Sequence, residues 1–70
     1  MYMKPLDALG ELLDQEVLVR LKNGLEIRGT LRAFDMHINI VLDNAEFTDG
    51  DVERKFKKMF LRGDMILFVS

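Results

Sequence analysis

Seventy residues with no cysteine make one domain at most, one that buries only about 60% of its unfolded surface and has neither disulfides nor a thiolate metal site to reinforce it. A net charge of −2 and a pI near 5.2 exclude bulk electrostatic attraction to nucleic acid, so any polyanion must be met by locally placed basic groups. No apolar run approaches the roughly 18 residues of a membrane span, and "MYMKPLDALG" lacks a signal-peptide pattern. The cytosol is therefore the expected location, with no membrane partner.

The chain opens with "PLDALGELLD", where Leu6, Leu9 and Leu13 recur at helical spacing behind Pro5, a residue suited to a first helical turn. This predicts a helix of barely three turns, weakened by Gly10 and dependent on packing. From Glu16 the period changes to two, with Val17, Val19 and Leu21 alternating with Leu18, Arg20 and Lys22. Asn23-Gly24 then marks a hairpin. The return run "LEIRGTLRAF" places Leu25, Ile27, Leu31 and Ala33 on one face, with Gly29 among them. A missing side chain there permits a sharp bend or a close backbone approach.

"DMH" predicts a tight turn into a third strand, "INIVLDNAEF", with Ile38, Ile40 and Leu42 inward and His37 and Asn39 sharing a strand face. After the turn "TDGD", the strand "VERKFKKMFL" is expected to carry Val52, Phe56 and Phe60 on its apolar side. "RGD" makes another turn, and Met65 to Val69 are apolar at five consecutive positions, the pattern of a strand covered on both faces. The fold class is mainly β: a short N-terminal helix, then a strongly bent five-stranded antiparallel sheet forming a small barrel. A hydrophobic share of 49% exceeds what so small an interior absorbs, which points to an oligomer. The two unpaired edges of an open sheet invite pairing with further copies.

In this arrangement the chain resembles the Sm and Sm-like (LSm) family. The first Sm motif is similar to "VLVRLKNGLEIRGTLRAFDMHINIVLDNAEF", with Gly24, Gly29, Asp35 and Asn39 at its signature positions, and the second to "MFLRGDMILFVS". On this resemblance residues 1–70 form a single Sm domain. A helical region occupies 1–15, the first motif 16–47 and the second 59–70. Arg62-Gly63-Asp64 stands where bacterial Hfq carries a lysine–histidine pair, and the short "TDGD" connection is of archaeal type. Two positions depart from the pattern. Met65 stands where asparagine is common, and Lys57 where archaeal relatives often have glycine.

The resemblance implies a ring of identical subunits, usually seven, with six or eight also open, and leaves mixed rings with a paralogue undecided. It further implies a pore site for single-stranded, U-rich RNA, in which His37 and Arg62 sandwich a uracil, Asn39 reads its edge, and Asp35, Gly63 and Asp64 hold the pocket. Stacking combined with edge bonding is how single-stranded RNA is read in sequence-specific fashion. The implied role is an RNA scaffold or chaperone in processing or turnover, without catalysis or cofactor.

Other readings of the same residues are available. A lone histidine beside a turn is, without a motif, more often simply solvated. Asp35-Met36-His37 is too poor in ligands for zinc, and "DNAEFTDGD" lacks calcium-loop spacing. "RGD" matches an adhesion tripeptide, a negligible reading in a cytosolic hairpin. The run with Arg54, Lys55, Lys57 and Lys58 is most simply a solvated face, with outer-surface RNA contact left open. Asp35 beside His37 resembles a base and its orienter, yet the only serine is Ser70 and nothing else supports hydrolysis. The rival to an RNA-binding ring is a protein-interaction β-barrel without specific RNA binding.

Overall fold

The computed structural model describes residues 3–70. Five strands follow one short helix, α1 (Pro5–Gly10): β1 (Glu16–Leu21), β2 (Glu26–Phe34), β3 (Ile40–Asp49), β4 (Val52–Leu61) and β5 (Ile66–Val69). All pairings are antiparallel, and β5 returns beside β1 to give the order β4-β3-β2-β1-β5. The alternation seen in the sequence becomes the core. Val17, Val19, Leu21, Ile27, Leu31, Ile40, Leu42 and Ala45 are all buried, and burial of a Val, Leu or Ile side chain stabilises by about 1.5–3 kcal/mol.

The bend is built where β2 crosses β3. A Cβ at Gly29 would lie 3.1 Å from both the Asp43 carbonyl oxygen and the Leu42 Cβ, so the missing side chain lets the strands close up. The β2–β3 register shifts across Gly29, between Arg28 and Thr30, and again between Leu31 and Ala33, and Asn44 takes φ +52°. The inward set on β3 consequently changes parity, from Ile40 and Leu42 to Ala45, with Phe47 packing behind. Bulges of this kind bend a sheet and increase its twist.

Four expectations are corrected. The helix stops at Gly10, and turns carry the chain to Asp14, which takes φ +64° and donates its N–H to the Leu31 carbonyl at 2.8 Å. Leu9 and Leu12 pack on the core, whereas Leu6 and Leu13 stay largely exposed. β3 begins at Ile40 rather than Ile38, so His37 and Asn39 belong to the turn before it and share no strand face. On β4 the inward residues are Met59 and Leu61, because they pair directly with Leu42 and Ile40. Val52, Phe56 and Phe60 are exposed, although Phe56 stacks on Phe47 with ring centroids 6.0 Å apart.

β5 departs differently. Its apolar run is not covered within one chain, for Leu67 and Phe68 are both exposed. The two edges of the sheet are therefore unlike: β4 is ten residues long and rich in charge, β5 four residues long and apolar. On the outer surface Arg32 bridges Asp14 at 2.6 Å and Asp43 at 3.1 Å, and Lys58 reaches Asp43 at 2.8 Å. This ladder ties the turn after α1 to three strands. No helix among the described residues is long and apolar enough to cross a membrane.

Candidate functional site

Two turns meet at one end of the sheet, residues 35–39 between β2 and β3 and residues 62–65 between β4 and β5. The first is organised by one carboxylate. Asp35 Oδ1 accepts the N–H groups of His37 at 2.8 Å and Asn39 at 3.1 Å, while Oδ2 accepts the Asn39 side-chain amide at 3.0 Å. The Asp35 N–H donates to the Asn39 carbonyl at 3.1 Å, closing the turn. An aspartate that bonds backbone just ahead of itself is a recurrent turn device. Here it also seizes a side chain. The Asn39 amide, followed by the His37 and Asn39 backbone N–H groups, holds the Asp35 carboxyl below the usual carboxylate range, more than offsetting desolvation. Hydrogen bonds to the charged form have this effect.

The second turn is locked onto the first through the same amide. The Gly63 N–H donates to Asn39 Oδ1 at 2.8 Å. Since the Asp35 carboxylate only accepts and the Gly63 N–H only donates, the orientation of the Asn39 amide is unambiguous. Gly63 is required for a steric reason as well. A Cβ there would overlap the His37 carbonyl oxygen and crowd the carbonyl carbons of His37 and Ile38. Arg62 beside it pairs with Asp64 at 2.8 Å, its side chain 81% exposed.

His37, Asn39, Arg62, Gly63 and Asp64 line one open cleft of about 420 Å³, and Asp35 adjoins it through its bond to Asn39. The structure thus brings all six sequence-predicted residues together, with Asp64 paired to Arg62 within the cleft wall. A neighbouring apolar groove, formed by Phe34, Ile40, Val41, Phe60 and Leu61, shares Asp35, Asn39 and Arg62 with it. A wider depression, about 520 Å³, lies elsewhere, around Leu18, Leu25 and Phe47. Its rim mixes Arg20, Arg28, Glu26, Glu46 and Glu53, with Arg20 and Glu26 already paired at 3.2 Å, so it lacks the convergent polar groups of the cleft. No cluster of three or more metal-ligating side chains occurs among the described residues.

One contributor escaped the sequence reading. Ile38, between His37 and Asn39, takes φ +61°. A β-branched side chain is strained in that region by about 1–3 kcal/mol. No residue-type signal announces it, since isoleucine is among the residues least expected there.

Chemically the cleft offers two flat, exposed groups, an imidazole and a guanidinium, and one amide of fixed polarity. An amide has two N–H donors and two carbonyl lone pairs. Asp35 takes one N–H and Gly63 one lone pair, so a single donor and a single acceptor remain.

The LSM domain model matches residues 7–70. An snRNP Sm-like protein of Methanosarcina acetivorans is 50% identical over 68 residues, which covers 96% of this chain and 94% of the relative. Among solved structures, the P. aerophilum SmAP1 heptamer superposes with a TM-score of 0.89 at 36% identity, covering 100% of this chain and 95% of the other. The Pyrococcus abyssii Sm protein in complex with a uridine heptamer gives 0.87 at 40% identity, covering 97% of both chains. With its domain model matched over all but the first six residues and a relative identical at half its positions, this chain belongs to the Sm-like (LSM domain) family.

Proposed function

We propose that the chain assembles into a homomeric ring, most simply a heptamer, that binds single-stranded U-rich RNA at the clefts lining its pore. It serves as a cytoplasmic scaffold or chaperone in RNA processing or turnover, a binding role rather than a catalytic one. The observation that carries this reading is the clamped Asn39 amide. Its free N–H and free lone pair are held in fixed order by Asp35 and Gly63. Uracil presents an N3–H donor beside a carbonyl acceptor, whereas cytosine presents the two functions in the opposite order. An amide free to rotate would accept either base; a clamped one favours the base whose order matches. His37 and Arg62 then supply faces for stacking, which is tolerant of sequence.

The ring follows from the edges. Unlike edges that pair head to tail close a ring when the rotation permits. Pairing β5 of one copy with β4 of the next would also cover Leu67, Phe68 and Phe60, which a single chain leaves in water. The P. aerophilum neighbour is a heptamer and the P. abyssii neighbour is complexed with a uridine heptamer, in line with this assembly and ligand.

Native mass spectrometry with and without oligo-U tests both parts, alongside affinities for oligo-U, oligo-C and oligo-A. A discrete ring that takes up oligo-U in preference is the expected result. Asn39→Ala should flatten that preference, and His37→Ala should weaken all three ligands more evenly. A folded monomer, or equal affinity of the parent protein for oligo-U and oligo-A, would refute the reading and leave a protein-interaction barrel.

A further inference from the structure

A left-handed conformation offers a β-branched residue nothing of its own, so Ile38 is held there by its surroundings. Its N–H donates to the Asp35 carbonyl at 3.0 Å. The Asp35 carboxylate grips the N–H groups on either side of it, at His37 and Asn39. Gly63 packs so close to this turn that a Cβ on it would overlap the His37 carbonyl oxygen and crowd the carbonyl carbons of His37 and Ile38. Of residues 36–39, Ile38 alone packs against the core; Met36, His37 and Asn39 are exposed.

The two recognition groups on either side of Ile38 are held in different ways. The Asn39 side chain has partners of its own in Asp35 and Gly63. For the His37 ring no hydrogen bond is found among the described residues. Its direction is therefore set by the backbone at 37–38, and the one side chain that fastens this backbone to the core is Ile38.

We propose that Ile38 is a positioning residue of the base site: seated on the core in a left-handed conformation, its side chain aims the His37 ring across the cleft from Arg62. The proposal rests on the cleft being a base-binding site, and it separates two tasks within it. Ile38 serves stacking through His37, while Asp35 and Gly63 serve edge reading through Asn39.

A double-mutant cycle on the assembled ring tests this, because coupling between two positions is what the cycle isolates. The probe is a uridine heptamer, with a cytidine heptamer for comparison. Ile38→Gly removes the anchor and frees the backbone, and His37→Ala removes the ring. Each alone should weaken uridine-heptamer binding by about tenfold or more, the loss of a stacking contact. The double variant should be no more than about twofold weaker than Ile38→Gly alone, because a ring that is no longer aimed contributes little. Ile38→Met, which keeps an apolar anchor without the branch, should restore the effect of His37→Ala. Asn39→Ala should still erase the uridine-over-cytidine preference in the Ile38→Gly background.

A fully additive cycle in intact rings would overturn the proposal, since a residue that only stabilises the fold leaves the His37 contribution unchanged. If Ile38→Gly fails to assemble, the cycle is run on Ile38→Val, where smaller coupling of the same sign supports the proposal and additivity overturns it. A parent protein indifferent to His37→Ala would instead defeat the base-site reading itself, an outcome distinct from an additive cycle.

Discussion

Two turns of this molecule reverse the chain with similar parts and to different ends. Between β1 and β2, Asn23 Oδ1 accepts the Leu25 N–H at 3.1 Å, and Gly24 takes φ +92° with nothing within 4 Å of where a Cβ would stand. Between β2 and β3, Asp35 accepts three hydrogen bonds, and the left-handed residue is Ile38. Both use a short polar side chain to cap the turn and one residue of positive φ. Glycine takes that conformation at no steric cost, whereas isoleucine does not. The first turn has only to join two strands. The second accepts strain, and its polar atoms hold the Asn39 side chain against a second loop. Strain persists where the surroundings over-determine it, which is commonly at functional sites.

The largest contrast should come from the two glycines. At Gly24, alanine meets open space and suffers only from its φ, a cost of about 1–2 kcal/mol with RNA binding unchanged. At Gly63, alanine would strike backbone atoms of His37 and Ile38, which cannot swing aside as a side-chain tip does. The loops must part, at about 1–3 kcal/mol of stability, and the Gly63 N–H leaves the Asn39 amide. Loss of even one base's stacking, about 1–3 kcal/mol, lowers oligo-U affinity by roughly tenfold or more. Thermal midpoints and oligo-U titrations of both variants check this. Binding by Gly63→Ala equal to that of Gly24→Ala would erase the distinction between the turns.

The contrast also marks what the sequence discloses. Val17, Val19, Leu21, Ile27 and Leu31 could be placed by period alone, because alternation on a half-buried strand leaves little freedom. The β1–β2 turn was legible from Asn23-Gly24 for the same local reason. Phe56 and Phe60 misled, because their size draws them to an inward assignment while pairing with β3 gives the core to Met59 and Leu61. Which side of β4 turns inward is set by the β3 residues that it pairs with, a matter of contacts between strands. The members of the cleft were legible through their motif, Asp35, His37 and Asn39 with Arg62, Gly63 and Asp64. What they do to one another was not. The amide clamp joins residues 24 positions apart, and the left-handed Ile38 sits where Asp35 and Gly63 close on the turn.

A smaller effect distinguishes the capping residues. Asn23 only accepts, so Asn23→Asp should change neither stability nor binding noticeably. Asp35→Asn replaces an acceptor by an N–H₂ facing the Asn39 N–H₂, and one amide must turn over. The fold should survive while the preference for oligo-U over oligo-C falls severalfold. The same carboxylate sets a pH dependence. Because its folded pKa lies below the ordinary value, through the Asn39 amide first and then the two backbone N–H groups, its stabilising contribution is complete above the unfolded pKa. It is lost as pH falls through the depressed folded value. Selectivity measured against pH should therefore hold where ordinary aspartates protonate and fail only at stronger acidity. Loss of selectivity already in the range of an unperturbed carboxylate would show that the clamp does not act through the ionised group.

The smallest effect expected per site concerns two arginines. Arg20, near the β1–β2 turn, pairs with Glu26 at 3.2 Å, and Arg62 pairs with Asp64 at 2.8 Å. Both pairs are exposed and contribute little to stability, so either arginine should tolerate lysine as far as folding is concerned. Binding separates them. The chain is acidic overall, and Asp64 offsets the charge of Arg62 locally, so a purely electrostatic role for Arg62 is poorly served. A planar guanidinium can stack on a base; an ammonium cannot. Arg62→Lys should therefore lose a fraction of the ~1–3 kcal/mol of one base's stacking at each subunit, compounded along a strand that spans several linked sites. Arg20→Lys should lose none. The salt slope for oligo-U should be shallow in the parent protein, well below the roughly −0.7 per nucleotide expected if every phosphate displaced a counterion. Titrations of the parent and both variants at low and moderate salt decide the matter. Unchanged binding by Arg62→Lys together with a steep slope would make Arg62 a charge like Arg20, and the cleft would have one flat wall instead of two.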